Sequence, residues 1–155
     1  MLAAAFSFAR GVNPAKLKIN GLVGLDSTYA RVVKALGKPT KETRPQAEEC
    51  TGGHEKTVKY TGLSLYFMDG SSRDKKTYMV MSFEVTRAGF TVSGVKVGDS
   101  EAVVRRLLGR PKSIDNADGE KIWQYEIPDP PGPGWTSISF KNGKVTNIAS
   151  SYTVC

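Results

Sequence analysis

The chain has 155 residues, 39% hydrophobic and 24% charged, enough for one ordinary domain or two very small ones. Its formal charge of +7 makes the surface basic, yet Lys and Arg are scattered and no block of five occurs. Basic residues therefore do not cluster beside stacking aromatics, which argues against a nucleic-acid binder.

Met1 to Ala9 is apolar and small, and Ser7-Phe8-Ala9 resembles a small-x-small processing site. Residues 1–14 are expected to be a signal-like or disordered amino terminus, although no positive charge precedes the apolar run. No other apolar run approaches the roughly 20 residues of a membrane span. Export to the periplasm or medium is the expectation.

Gly11 to Asn20 is polar. Asp26 or Ser27 can then cap a helix through Leu36, in which Val32 and Leu36 share one face. Gly37 supplies the left-handed residue at its end, and Pro39 forbids continuation. The same devices recur 72 residues later. Asp99 or Ser100 caps, Val104 and Leu108 line one face, and Gly109 and Pro111 stop the helix. Between Val23–Pro39 and Val95–Pro111, six of 17 paired positions are identical, where unrelated segments share about one.

After each helix the period changes to two. Thr57 to Tyr60 reads as a short strand. Leu63, Leu65 and Phe67 alternate with Ser64, Tyr66 and Met68. Beyond a loop from Asp69 to Lys76, Met79, Met81, Phe83 and Val85 alternate with Tyr78, Val80, Ser82 and Glu84. In the second half, strands are expected over Lys121–Ile127, Trp135–Phe140 and Val145–Val154. A proline-rich loop, Pro128 to Gly134, joins the first two, and Asn142-Gly143 marks a hairpin.

The expected fold is α+β, a tandem repeat of short helices followed by an antiparallel meander. Residues 15–90 and 91–155 form the two repeats of one compact domain. They join in one sheet of about six to eight strands, with the helices on one face and the other face open.

Two cysteines, Cys50 and Cys155, are expected to form a disulfide, with two free thiols as the alternative. Closing a loop of about a hundred residues is worth roughly 4–5 kcal/mol in theory. Intact mass before and after reduction and alkylation decides between them. His54 is the single histidine, read as an exposed loop residue. With Cys50 it falls short of the three or four ligands zinc needs, so no metal is expected. The Asp69–Asp74 loop lacks calcium-loop spacing, and no glycine-rich loop opens a helix to cradle phosphate. No catalytic constellation emerges, and neither an enzymatic activity nor a cofactor is expected.

A protein-binding surface has better support. Strand parity puts Tyr66 and Tyr78 on the face opposite Leu65 and Met79, and Trp135 on the face opposite Ile138. With Asp69, Arg73 and Asp74 of the adjoining loop they form the candidate contact set, since aromatic residues on an open sheet are effective anchors. Trp123 and Tyr125 share parity with Ile127 and are assigned to the core.

The motifs Val97-Gly98-Asp99-Ser100 and Leu108-Gly109-Arg110-Pro111, with their first-half counterpart Leu36-Gly37-Lys38-Pro39, carry a family resemblance. From about Gly21 onward the chain resembles the β-lactamase-inhibitor-protein-like fold in its tandem form, a unit that the small outer-membrane-assembly lipoprotein carries once. The resemblance implies a sheet whose face away from the helices grips another protein. The lipidation cysteine of the lipoprotein is absent here, and two cysteines do not reproduce the inhibitors' disulfide arrangement. The functional expectation is a non-catalytic secreted or periplasmic protein-binding module, an inhibitor or immunity protein of an extracytoplasmic enzyme acting by occlusion. The alternative is an envelope-assembly or wall-associated factor that sits on anionic polymer or lipid.

Overall fold

The computed structural model describes residues 17–69, 77–128 and 133–153. Nine strands form one antiparallel sheet: β1 Lys41–Glu42, β2 Gln46–Ala47, β3 His54–Tyr60, β4 Leu63–Asp69, β5 Tyr78–Val85, β6 Ser113–Ala117, β7 Glu120–Ile127, β8 Gly134–Lys141 and β9 Lys144–Tyr152. Their order is β1-β3-β4-β5-β9-β8-β7-β6, and β2 also pairs with β3. The last strand, β9, lies between β5 and β8 and so joins the two halves of the chain.

Of the described residues 49% are in strands and 13% in helices, a mainly β fold that overturns the α+β tandem helix repeat expected from the sequence. The two helices, α1 Tyr29–Leu36 and α2 Glu101–Leu108, have eight residues each, little more than two turns. Helices this short cannot stand alone and depend on the sheet they cover. The strands missing from the sequence reading, β1, β2 and β6, are exposed throughout. They carry no apolar alternation by which they could have been recognised.

The helix ends use the expected chemistry at slightly different residues. Thr28, and neither Asp26 nor Ser27, caps α1, its hydroxyl accepting from the Arg31 amide at 3.2 Å. Ser27 is used one turn earlier, where its buried hydroxyl accepts from the Gly24 amide at 3.0 Å. Ser100 caps α2 and accepts from the Val103 amide at 3.3 Å. Gly37 and Gly109 close the helices at φ 82° and 80°, where a side chain would be strained. Each of these glycine carbonyls then accepts a tyrosine hydroxyl from the sheet, Tyr60 at 2.8 Å and Tyr125 at 2.9 Å. Burial raises both tyrosine pKa values, that of Tyr125 to about 12. Replacing Ser100 by Ala removes one of these caps and is expected to cost about 1 kcal/mol, seen as a fall of about 3 °C in Tm. An unchanged melting curve would show that the packing of Val104 and Leu108 alone holds α2.

The core lies between the sheet and the helical layer. Val32, Val104 and Leu108 from the helices meet Leu65, Phe67, Phe83, Ile138, Phe140 and Ile148 from the strands, all buried. Two tight turns, Ile19–Val23 and Val92–Val95, are bridged to each other through Ile19 and Val92 and complete the layer. All four of these terminal residues are fully buried. Trp123 and Tyr125 are buried as expected, with Trp123 tilted against Phe140 at 4.8 Å between ring centres.

Strand parity fails at two places. Ser139 of β8 pairs with Asn147 but Phe140 pairs with Val145, so Thr146 is an extra residue in β9. The other is in β5. Tyr66 pairs with Ser82 but the next residue, Phe67, pairs with Val80, so Met81 is an extra residue in β5. A bulge of this kind reverses every face assignment beyond it. Phe83 and Val85 face the core, but past the bulge Val80 and Tyr78 do so in place of Met81 and Met79.

Candidate binding face

On the face turned away from both helices, the register aligns residues in rows that cross the sheet. One row runs Thr57–Tyr66–Ser82–Ser151–Trp135–Glu126, each member directly paired with the next. Tyr66 and Trp135 thus stand three strands apart, about 14 Å at the usual strand spacing. Only the hydroxyls of Ser82 and Ser151 lie between them. The next row, Lys59–Ser64–Glu84–Ala149–Ser137–Gln124, continues the small-residue floor. Thr57, Ser64, Tyr66, Ser82, Glu84 and Ser151 line a hollow of about 260 Å³ on this face.

The walls of the trough differ. Tyr66 is half-buried and its hydroxyl donates to the Glu55 carboxylate. Burial, and then this bond, raise its pKa above the ordinary tyrosine range. Trp135 is 44% exposed, one of three large apolar side chains so placed among the described residues. The charges of the face are mostly satisfied locally. Glu84 accepts from the Asn147 amide and Glu126 pairs with Lys112, while Ser137 donates to Gln124 at 2.6 Å. What remains is a shallow, nearly neutral surface of hydroxyl and amide groups between two aromatic rings.

Of the residues expected on this face from the sequence, Tyr66 and Trp135 are there and Tyr78 is not. The Met81 bulge turns Tyr78 to the helical side, where it packs on the core with the Lys56 ammonium 4.7 Å from its ring centre. The same ammonium lies 3.6 Å from the Tyr29 ring centre. Asp69 is the buried last residue of β4 and no part of an exposed loop. Its carboxylate accepts from the His54 amide at 2.5 Å and lies 3.2 Å from the imidazole Nδ1. His54 therefore opens β3 and shares the helical side with Val58, away from the serine row. Gly53 makes room for this contact, since a Cβ there would sit 2.3 Å from the Asp69 carboxylate. Arg73 and Asp74 lie outside the described residues, as do Met1–Ala9. Cys50 is held by Glu48, whose carboxylate accepts from the Thr51 hydroxyl and from the Cys50 and Thr51 amides. These bonds, that from the Thr51 hydroxyl foremost, lower the Glu48 pKa. Cys155, the other half of the expected bridge, lies outside the described residues.

Sequence reasoning missed Ser82 and Ser151 as members of the site. The signal was available in part: Ser137, Ser139, Ala149 and Ser151 are all small and share the parity opposite Ile138 and Ile148. What no periodicity reveals is that β9 lies beside β5, and that pairing creates the row.

No family model and no curated protein matches this chain. Among solved structures it is similar to an extracellular protein containing a SCP domain from Bacillus anthracis str. Ames, at 9% identity and a TM-score of 0.47. That alignment covers 83% of this chain and 44% of the other, so this chain spans less than half the length of that protein. It is also similar to a DUF4309 family protein (YjgB) from Bacillus subtilis subsp. subtilis str. 168, at 12% identity and a TM-score of 0.40, covering 86% and 83% of the two chains. At these values neither likeness assigns a family or an activity. Among the described residues no helix is long and apolar enough to cross a membrane, and no three His, Cys, Asp or Glu side chains converge as metal ligands.

Proposed function

We propose that this chain is a secreted or periplasmic, non-catalytic module that binds another protein with its open sheet face. An inhibitor or immunity protein of an envelope-acting enzyme, working by occlusion, fits that description. The row Tyr66–Ser82–Ser151–Trp135 is the observation that supports it. Two rigid amphipathic rings supply contact area at low entropic cost, and the serines between them let a partner's backbone approach closely while offering hydrogen bonds. The strands that carry Tyr66 and Trp135 stand about 14 Å apart, which leaves room between the rings for a protruding loop of a partner. The apolar stretch Met1–Ala9 and the even cysteine count support an extracytoplasmic site of action. The helix-stop motif shared with the β-lactamase-inhibitor-like proteins supports the same class of function.

Affinity capture from an envelope extract with the wild-type chain, followed by mass spectrometry, identifies the partner. The decisive comparison is Ser82→Arg, which puts a long charged side chain in the centre of the trough and leaves both rings in place. Its affinity for the captured protein is expected to fall by about a hundredfold. Undiminished binding by Ser82→Arg would remove this face as the site.

A further inference from the structure

We propose that the opposite face, the outer surface of the helical layer, binds the surface of an anionic lipid bilayer. Arg31 and Lys34 of α1 and Lys38 just beyond it recur at helical spacing; α2 contributes Arg105 and Arg106 with Arg110 just beyond it, Arg106 and Arg110 at the positions equivalent to Lys34 and Lys38. All six are exposed. The sequence scatters these cations, and the fold gathers them on one side by laying both helices on the same face of the sheet.

Acidic groups on that side are already engaged. Glu101 pairs with Lys121 at 2.8 Å, Asp26 accepts the Tyr152 hydroxyl at 2.6 Å, and Asp99 accepts from the Lys96 amide at 2.9 Å. Glu42 lies 3.9 Å from Lys56. None of the six cations belongs to an ion pair among the described residues. Arg105 also lies over the Trp123 ring, at 5.2 Å. Asp26 and Asp99 keep their charge in these bonds, but the six exposed cations outnumber them, so the outer helical surface carries a net positive charge. The open face, with Glu55, Glu84 and Glu126 beside Lys59 and Lys112, has no such excess.

A second observation selects lipid over a charged polymer. Leu22, near the end of the Ile19–Val23 turn, is 47% exposed. With Arg31, Lys34 and Ala35 it lines a hollow of about 280 Å³, and the Arg31 Nε donates to the Leu22 carbonyl at 3.3 Å. An apolar tip beside the cations Arg31 and Lys34 matches a membrane interface, where phosphates meet the cations and the acyl boundary receives the leucine. A polymer of anionic groups alone offers nothing to Leu22. The contact is peripheral and leaves the Tyr66–Trp135 face directed away from the membrane.

The test is co-sedimentation of the full chain with vesicles of phosphatidylcholine, with and without about 30% phosphatidylglycerol. The chain is expected to pellet with the anionic vesicles at about 0.1 M salt and to be released at about 0.5 M. Changing Arg105, Arg106 and Arg110 to Gln together should lower partitioning on the order of a hundredfold. Leu22→Gln should lower it about tenfold. Tyr66→Ala with Trp135→Ala should leave it unchanged, so this proposal and the partner-binding one fail separately. All substituted side chains are at least partly exposed, and circular dichroism confirms the fold of each variant. Equal pelleting with neutral vesicles, absence of pelleting, or wild-type partitioning of the arginine variant would overturn the proposal. So would capture by soluble polyphosphate that is as tight as by vesicles and indifferent to Leu22→Gln, which would assign the surface to an acidic polymer.

Discussion

A chain carrying both Tyr66→Ala and Trp135→Ala is expected to bind its protein partner about a thousandfold more weakly while keeping its Tm within about 2 °C. Aromatic anchors in the centre of an interface commonly contribute about 2 kcal/mol or more each on truncation, and two of them amount to roughly three powers of ten. The folded chain depends on neither ring to that extent. Trp135 is 44% exposed, so its removal takes little apolar area out of the core. Tyr66 gives up one hydrogen bond to Glu55, whose carboxylate can turn to water. Tyr66→Phe keeps the ring and should retain affinity within about tenfold, separating the hydroxyl from the contact area. Tyr78→Ala is the informative control. Because Tyr78 faces the helical side, its loss should lower stability and leave affinity unchanged. Titration calorimetry with the captured partner, alongside thermal melts, reads both quantities. A Tyr78 variant that lost affinity as fully as the double variant would mean the binding site is on the other face.

Phe67→Ala carries the largest expected cost in stability, about 4 kcal/mol, or a fall of about 12 °C in Tm for a chain of this size. Phe67 is fully buried at the centre of β4. It faces Val80 across the strand pair just past the bulge and meets the Tyr29 ring edge-on at 5.7 Å between centres. Truncation leaves a cavity bounded by the sheet on one side and α1 on the other. The helix is only eight residues long, so it loses much of what holds it when that contact goes. Chemical denaturation should show a lower midpoint with a preserved slope. A loss under about 1 kcal/mol would mean that α1 collapses into the space, and that the helical layer is softer than its close packing implies.

Much of this local structure is legible in the residues themselves. Gly37 and Gly109 sit where left-handed backbone is required, and Pro39 and Pro111 mark the stops. Asn142-Gly143 turns with positive φ at both residues, as a tight hairpin of that composition must. Leu63, Leu65, Phe67, Ile138 and Phe140 alternate cleanly and are buried as that alternation requires. Trp123 and Tyr125 follow the parity of Ile127 into the core. These are matters of backbone sterics and of apolar groups leaving water, and both act over a few neighbouring residues.

Other features came only with tertiary structure. Met81 has no local mark as a bulge, since apolar residues occupy both parities of β5 around it. Only its pairing with β4 shows which residue is extra, and Tyr78 falls on the helical side and not on the open face for that reason. The edge strands β1, β2 and β6 are exposed on every residue and form because a neighbouring strand offers unpaired backbone groups. Their presence, beside helices of only two turns, makes the protein mainly β. The serine row and the cationic helical surface depend on long-range placement as well: β9 inserted beside β5, and both helices laid on one side. Sequence by itself determined where the chain turns, caps and buries its apolar groups, because those choices depend on neighbouring residues. Which side chains share a face was decided by strand register and order, because residues as distant as Tyr66 and Trp135 become neighbours in a row only after the two halves have paired.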